Sequence, residues 1–193
     1  MATSLTPTPS LWSRALSSLP PRDQQIFKIS STSTPDAKGI LQDILSALER
    51  QRDRCKRDVW TTISVGGKEL VIRDLCAKIA SYVKKFMEVV DIAVQYDPVH
   101  AALPWAGVRF LLQLSCSAFE AFGAIVEGLE KATELISRCS IIEALVLRHG
   151  AATDARMVLE KEMVKLYSII LGFLCKAKKH HDGLRVSRLT QED

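Results

Sequence analysis

Several places in the chain carry residue types that could do chemistry. Gly66-Gly67-Lys68 stands just before a helical pattern and invites comparison with a phosphate-binding turn. A phosphate loop needs GxxxxGK followed by Ser or Thr, so that several backbone N–H groups wrap the phosphates and a hydroxyl holds magnesium. Here Glu69 follows the lysine, and no glycine or buried strand precedes in register. The segment therefore reads as a turn leading into a helix. His180-His181 could hold a metal together with Cys175. Adjacent histidines diverge by about 100° on a helix, however, and a cationic cluster at a helix end suits the negative pole of its dipole. Ser115-Cys116-Ser117 has no base spaced to serve a nucleophile and reads as core lining. His100, beside an apolar run, reads as a satisfied, partly buried imidazole. No GxSxG, HExxH or paired-acid pattern frames a reaction. The expectation is a non-enzyme with no catalytic residue, no metal, no cofactor and no small-molecule substrate.

The remaining chemical feature is a basic run. Arg50, Arg52, Arg54, Lys56 and Arg57 crowd together with Asp53 among them. A solvated helix face is the plain reading. An acidic protein partner or an anionic lipid surface are the alternatives. Trp60, a residue type common at membrane interfaces, adds weight to the lipid option. Nothing favours nucleic acid. Aromatics do not interleave with the basic residues, and the formal net charge is only +4 over 193 residues.

Positioning these residues falls to helices. Hydrophobic residues make up 47% of the chain and charged residues 25%, which is the balance of an ordinary globular domain. Five cysteines, at 55, 76, 116, 139 and 175, are scattered and odd in number, so they read as buried thiols rather than a disulfide framework. The N-terminus lacks a basic region followed by an apolar core, as a secretory signal would require. The most apolar stretch, Pro98 to Phe119, carries Arg109 near its middle, which suits a core helix better than a membrane span. A cytoplasmic location is expected.

Residues 1–34 read as a flexible leader with one short helix, capped by Ser10 and stopped by Pro20-Pro21. Residues 35–182 read as a helical domain, and 183–193 as a tail. Thr34-Pro35-Asp36 opens a helix whose apolar face is Ile40, Leu41, Ile44, Leu45 and Leu48. Trp60 to Gly67 breaks the rhythm, and a sheet is not expected because no second strand pattern pairs with it. A second helix is predicted from Lys68 to Gln95, ended by Tyr96-Asp97-Pro98. A third starts at Pro104, and helical spacing continues to His149. The last helix takes Thr153 as N-cap, is apolar nearly all round from Leu166 to Cys175, and stops at Gly183. The fold class predicted is all-α, an elongated bundle of about five to six helices, several of them long and antiparallel.

Three segments carry a family resemblance: GGKELVIRDL at 66–75, VVDIAVQYDPVHAALPWAGVRFLLQ at 89–113 and EMVKLYSIILGFLCKAKKHH at 162–181. The middle one is the most specific, through Asp97, Pro98, Leu103, Pro104, Trp105 and Gly107. The chain resembles the N-terminal domain of fungal NACHT-NTPase proteins, a branch of the STAND or NOD-like receptors. The resemblance implies an α-helical signalling module placed upstream of a nucleotide-dependent oligomerisation switch. Its expected role is non-self recognition and programmed cell death, through a protein partner or self-association. A membrane-perturbing cell-death bundle, using a basic helix end and apolar helices, is the alternative, and a helical enzyme with an unrecognised site is the second. Relatives continue into a NACHT domain with a phosphate loop, which this sequence does not contain. The motif residues suit packing: Pro104 to fix a bend, Trp105 to fill volume, Gly107 to admit another helix.

Overall fold

The computed structural model describes residues 10–28, 36–57, 62–65, 67–96, 101–115, 123–149 and 153–189. Among them the order is α1 (Leu11–Ser17), α2 (Pro21–Lys28), α3 (Ala37–Arg57), β1 (Thr62–Val65), β2 (Lys68–Val71), α4 (Ile72–Met87), α5 (Val90–Tyr96), α6 (Leu103–Ser115), α7 (Gly123–His149) and α8 (Asp154–Leu189). The architecture is an all-α bundle with one small hairpin.

Local chemistry explains the helix starts. The Ser10 hydroxyl accepts the Ser13 N–H at 3.1 Å and caps α1. Thr153 does the same for α8, accepting the Arg156 N–H at 3.3 Å. At α3 the cap is Asp36, whose carboxylate accepts the Lys38 N–H at 3.1 Å and whose carbonyl accepts the Ile40 N–H at 3.0 Å. The helix therefore begins after the acid rather than after Thr34, which with Pro35 lies outside the described residues. A carboxylate at N-cap also meets the positive end of the dipole.

The apolar stripes then merge into one core. Ile40, Leu41, Ile44 and Leu48 of α3 join Ile72, Leu75, Ile79, Val83 and Phe86 of α4. Helix α3 packs on α4 and α6, α4 packs on α7, and α8 packs on α1, α6 and α7. An Arg109 guanidinium N–H reaches the Asp43 carboxylate at 2.9 Å, so the charge in the middle of α6 points to α3 and not into the core.

Four expectations need correction. First, a sheet does form: β1 and β2 pair antiparallel, from Thr62 opposite Val71 to Val65 opposite Lys68. Gly67 turns the hairpin at φ +79°, a backbone state that costs glycine little. Lys68 to Val71 is thus a strand, and α4 starts only at Ile72. Second, the long helix expected up to Gln95 is broken. The Val89 N–H bonds the Phe86 carbonyl at 3.0 Å, a tight final turn that closes α4 before α5 begins.

Third, the leader is structured over its described part. It holds two helices, and Leu11, Trp12, Ala15 and Phe27 are buried in the main core. Fourth, α8 runs through Gly183 to Leu189. A glycine inside a helix costs only about 1 kcal/mol relative to alanine, too little to stop a helix whose buried residues run as far as His181. His180 and His181 therefore sit inside α8 and not at its end.

Candidate interaction surface on the last helix

Helix α8 packs against α1, α2, α6 and α7, and its two sides differ. One side is core: Met163, Tyr167, Ile170, Leu171 and Leu174 are buried. Tyr167 stacks flat on Trp12 of α1, with ring centroids 3.7 Å apart and planes 5° from parallel. Its phenol donates to a Glu143 carboxylate oxygen at 2.8 Å, joining α8 to α7. Burial, reinforced by the Glu143 charge, holds the Tyr167 hydroxyl well above the ordinary phenol range. Leu174 approaches Gly107 so closely that a Cβ there would lie 3.0 Å from its Cδ1. The ring of Phe173 lies still closer to Gly128, where a Cβ would meet it at 2.6 Å.

The other side of α8 is open. Met157 is 59% exposed, Val158 61% and Ile169 68%. Between them Lys165 Nζ donates to Glu162 Oε1 at 2.7 Å, and both side chains are more than half exposed. A Cβ added at Gly172 would meet nothing within 4 Å. Three large apolar side chains on one helix thus face outward beside an ion pair.

Of the residues singled out from the sequence, four enter α6 or its first turn. Leu103, Pro104 and Trp105 are buried and Gly107 is half-buried. Pro104 is the second residue of α6, where its missing N–H would have had no helical acceptor. The first helical bond of α6 runs from the Ala106 N–H to the Ala102 carbonyl at 2.9 Å. Trp105 is fully buried and its ring sits 4.8 Å from that of Phe86. Asp97, Pro98 and His100 lie outside the described residues.

The basic run occupies the end of α3. Arg50 and Arg52 are exposed, with Gln51 buried between them. Residues two apart stand about 200° apart around a helix axis, so these two arginines flank the core line on opposite sides and share no face. Arg54, Lys56 and Arg57 continue α3, and their side chains lie outside the described ones, as does the whole of Trp60. Two lysines late in α8 are engaged within the fold. Lys179 pairs with the Asp23 carboxylate of α2, and Lys178 Nζ lies 4.9 Å from the centre of the Phe110 ring. No helix among the described residues is long and apolar enough to cross a membrane, and no group of three His, Cys, Asp or Glu there could hold a metal ion.

Cys175 shows how thoroughly the inner side of α8 is closed. Burial, with the Asp23 carboxylate adding to it, pushes its thiol from the ordinary 9.0 up to about 11. The thiolate is the reactive form, so at pH 8 the native protein is expected to alkylate at Cys175 far more slowly than the unfolded chain. The sign on stability follows. The native state holds this proton more tightly than the unfolded one, so the native fold loses stability as pH climbs from 9.0 towards 11. Mass spectrometry of iodoacetamide-treated native and denatured protein checks the first point. Equal labelling in both states would refute it.

The exposed residues of α8 were not singled out from the sequence. The helix reads as apolar nearly all round, so periodicity alone does not separate its core side from its outer side. The three- and four-residue spacing of Val158, Glu162, Lys165 and Ile169 is the signal that could have found them.

The fold and this surface define a class: a helical module whose distinctive feature is an outward helix face. A model of the N-terminal domain of NWD NACHT-NTPase matches residues 8–185. That match spans most of the chain, and the protein belongs to this family of N-terminal NACHT-NTPase domains. No curated protein and no solved structure matches it.

Proposed function

We propose that this domain is the non-enzymatic signalling and interaction module of a NACHT-NTPase protein, acting by self-association or by recruiting a protein partner through a helical face. The resemblance to fungal NOD-like receptors supports a role in non-self recognition and programmed cell death, exercised in the cytoplasm. The observation that carries the reading is the outer side of α8, where Val158 and Ile169 are exposed on either side of the Glu162–Lys165 pair. Large exposed apolar side chains grouped on one rigid element mark contact surfaces. A lipid-docking reading gains nothing from Arg50 and Arg52, which point to opposite sides of α3.

Forced proximity tests the proposal. The 193-residue chain, fused to a ligand-inducible dimerisation tag and expressed in a fungal host, is expected to trigger a growth arrest or death response only when the dimerising ligand is added. A host that grows equally well with and without ligand, at matched expression, would overturn it.

A further inference from the structure

Six positions on the outer side of α8 alternate by three and four residues: Ala155, Val158, Glu162, Lys165, Ile169 and Gly172. This is the spacing of the seam along which two helices wrap each other. The seam stands opposite Met163, Tyr167 and Leu174 on the core side. Ala155, Val158, Glu162, Lys165 and Ile169 are all exposed, and Gly172 has open space above its Cα. The seam is therefore vacant among the described residues.

Its order is self-complementary when reversed. Read forward the seam is small, apolar, acidic, basic, apolar, small. A second α8 laid antiparallel brings Gly172 to Ala155, Ile169 to Val158 and Lys165 to Glu162, which is the pairing that antiparallel seams use. The two small residues let the backbones approach. The two charges of each helix meet their opposites. A parallel copy would instead set Glu162 on Glu162 and Lys165 on Lys165, which repel.

We propose that a second copy of this chain docks antiparallel on α8 across residues 155–172, a contact about 27 Å long. The inference rests on the self-association arm of the reading above and assigns its surface and register. Glu162 and Lys165, bonded to each other within one chain at 2.7 Å, become a ring of four alternating charges at the centre of the pair. Only Val158 and Ile169 bury large apolar groups, so the pair is weak and fills only towards the upper end of a concentration series.

Sedimentation velocity of the whole chain across a concentration series, at low salt, provides the test. Wild type is expected to dimerise reversibly. Glu162→Lys and Lys165→Glu each set like charges against each other and are expected to weaken dimerisation about tenfold. The double variant Glu162→Lys/Lys165→Glu restores opposite pairs only if a copy lies antiparallel in this register, and is expected to return to near wild-type association. Ile169→Asp is expected to abolish it. All four changes are on exposed side chains, and unchanged thermal melts by circular dichroism would show that the fold is intact. Dimerisation that ignores every one of these changes would overturn the seam while leaving self-association standing. So would a double variant as weak as the singles. A chain that stays monomeric throughout would also overturn the seam, and the forced-proximity experiment reads the wider function separately.

Discussion

Trp105→Ala is expected to lower the unfolding free energy by about 3–5 kcal/mol, the usual cost of truncating a large buried aromatic. Trp105 is fully enclosed and meets Phe86 at 4.8 Å, so it joins α6 to α4 near the centre of the bundle. A domain of this size has a net stability on the order of 5–15 kcal/mol, and the variant therefore forfeits a large share of it. A second change tells volume from hydrogen bonding. The indole N–H of Trp105 meets no acceptor among the described residues. Trp105→Phe keeps most of the ring and deletes that unsatisfied donor, so it is expected to cost less than half as much. Urea unfolding of the three proteins, followed by circular dichroism, measures both. An alanine variant within about 1 kcal/mol of wild type would show that the pocket collapses freely or that the residue is not central.

The second large effect is expected at the other end of the chain. Helix α1 has only seven residues, too few to be stable in water by propensity. Its position depends on burying Leu11, Trp12 and Ala15 against α8, with Trp12 stacked on Tyr167. Ser18 and Ser168 share a hydrogen bond of 2.7 Å at the edge of this contact. Trp12→Ala is expected to remove about 3 kcal/mol of docking and to free α1. Local opening should outrun global unfolding. Hydrogen exchange in residues 11–17 is therefore expected to rise by a factor of order one hundred, while α3 and α4 change less. Unchanged protection of α1 in this variant would refute the assignment of Trp12 as its anchor.

The sequence made the middle of the bundle legible. In α3 the spacing of Ile40, Leu41, Ile44 and Leu48 allows one helical face and no other, and all four are buried. Ser10 and Thr153 were readable as caps because a side-chain oxygen at that place has an obvious use. The hairpin was harder. Its second strand, Lys-Glu-Leu-Val, has helix formers at three of four positions, and pairing with β1 overrides that preference. The leader is harder to read because its Ser and Pro content marks its ends, while Trp12 and Phe27 find partners far away in sequence. Gly183 suggests a stop by a local rule, which the burial of Ala177 and His181 just before it outweighs.

Site legibility was poorer for a physical reason. The motif around Trp105 stands out as sequence because an enclosed tryptophan and a glycine at a close approach tolerate few replacements. The outer side of α8 uses ordinary residues whose meaning appears only when the core side is known. Arg50 and Arg52 stand on opposite sides of α3, and the rest of that basic run lies outside the described side chains.

The continuity of α8 has a mechanical consequence. Its 36 residues form a rod about 54 Å long, gripped by α1, α6 and α7 around Tyr167. The grip continues through Cys175, Ala177 and His181, all buried, and through Lys179 paired with Asp23 of α2. Only about 12 Å of the rod, from His181 to Leu189, extends past it. Helices α1 and α2 are thus strung along one stiff spine, which ties residues 11–28 to the far end of the bundle.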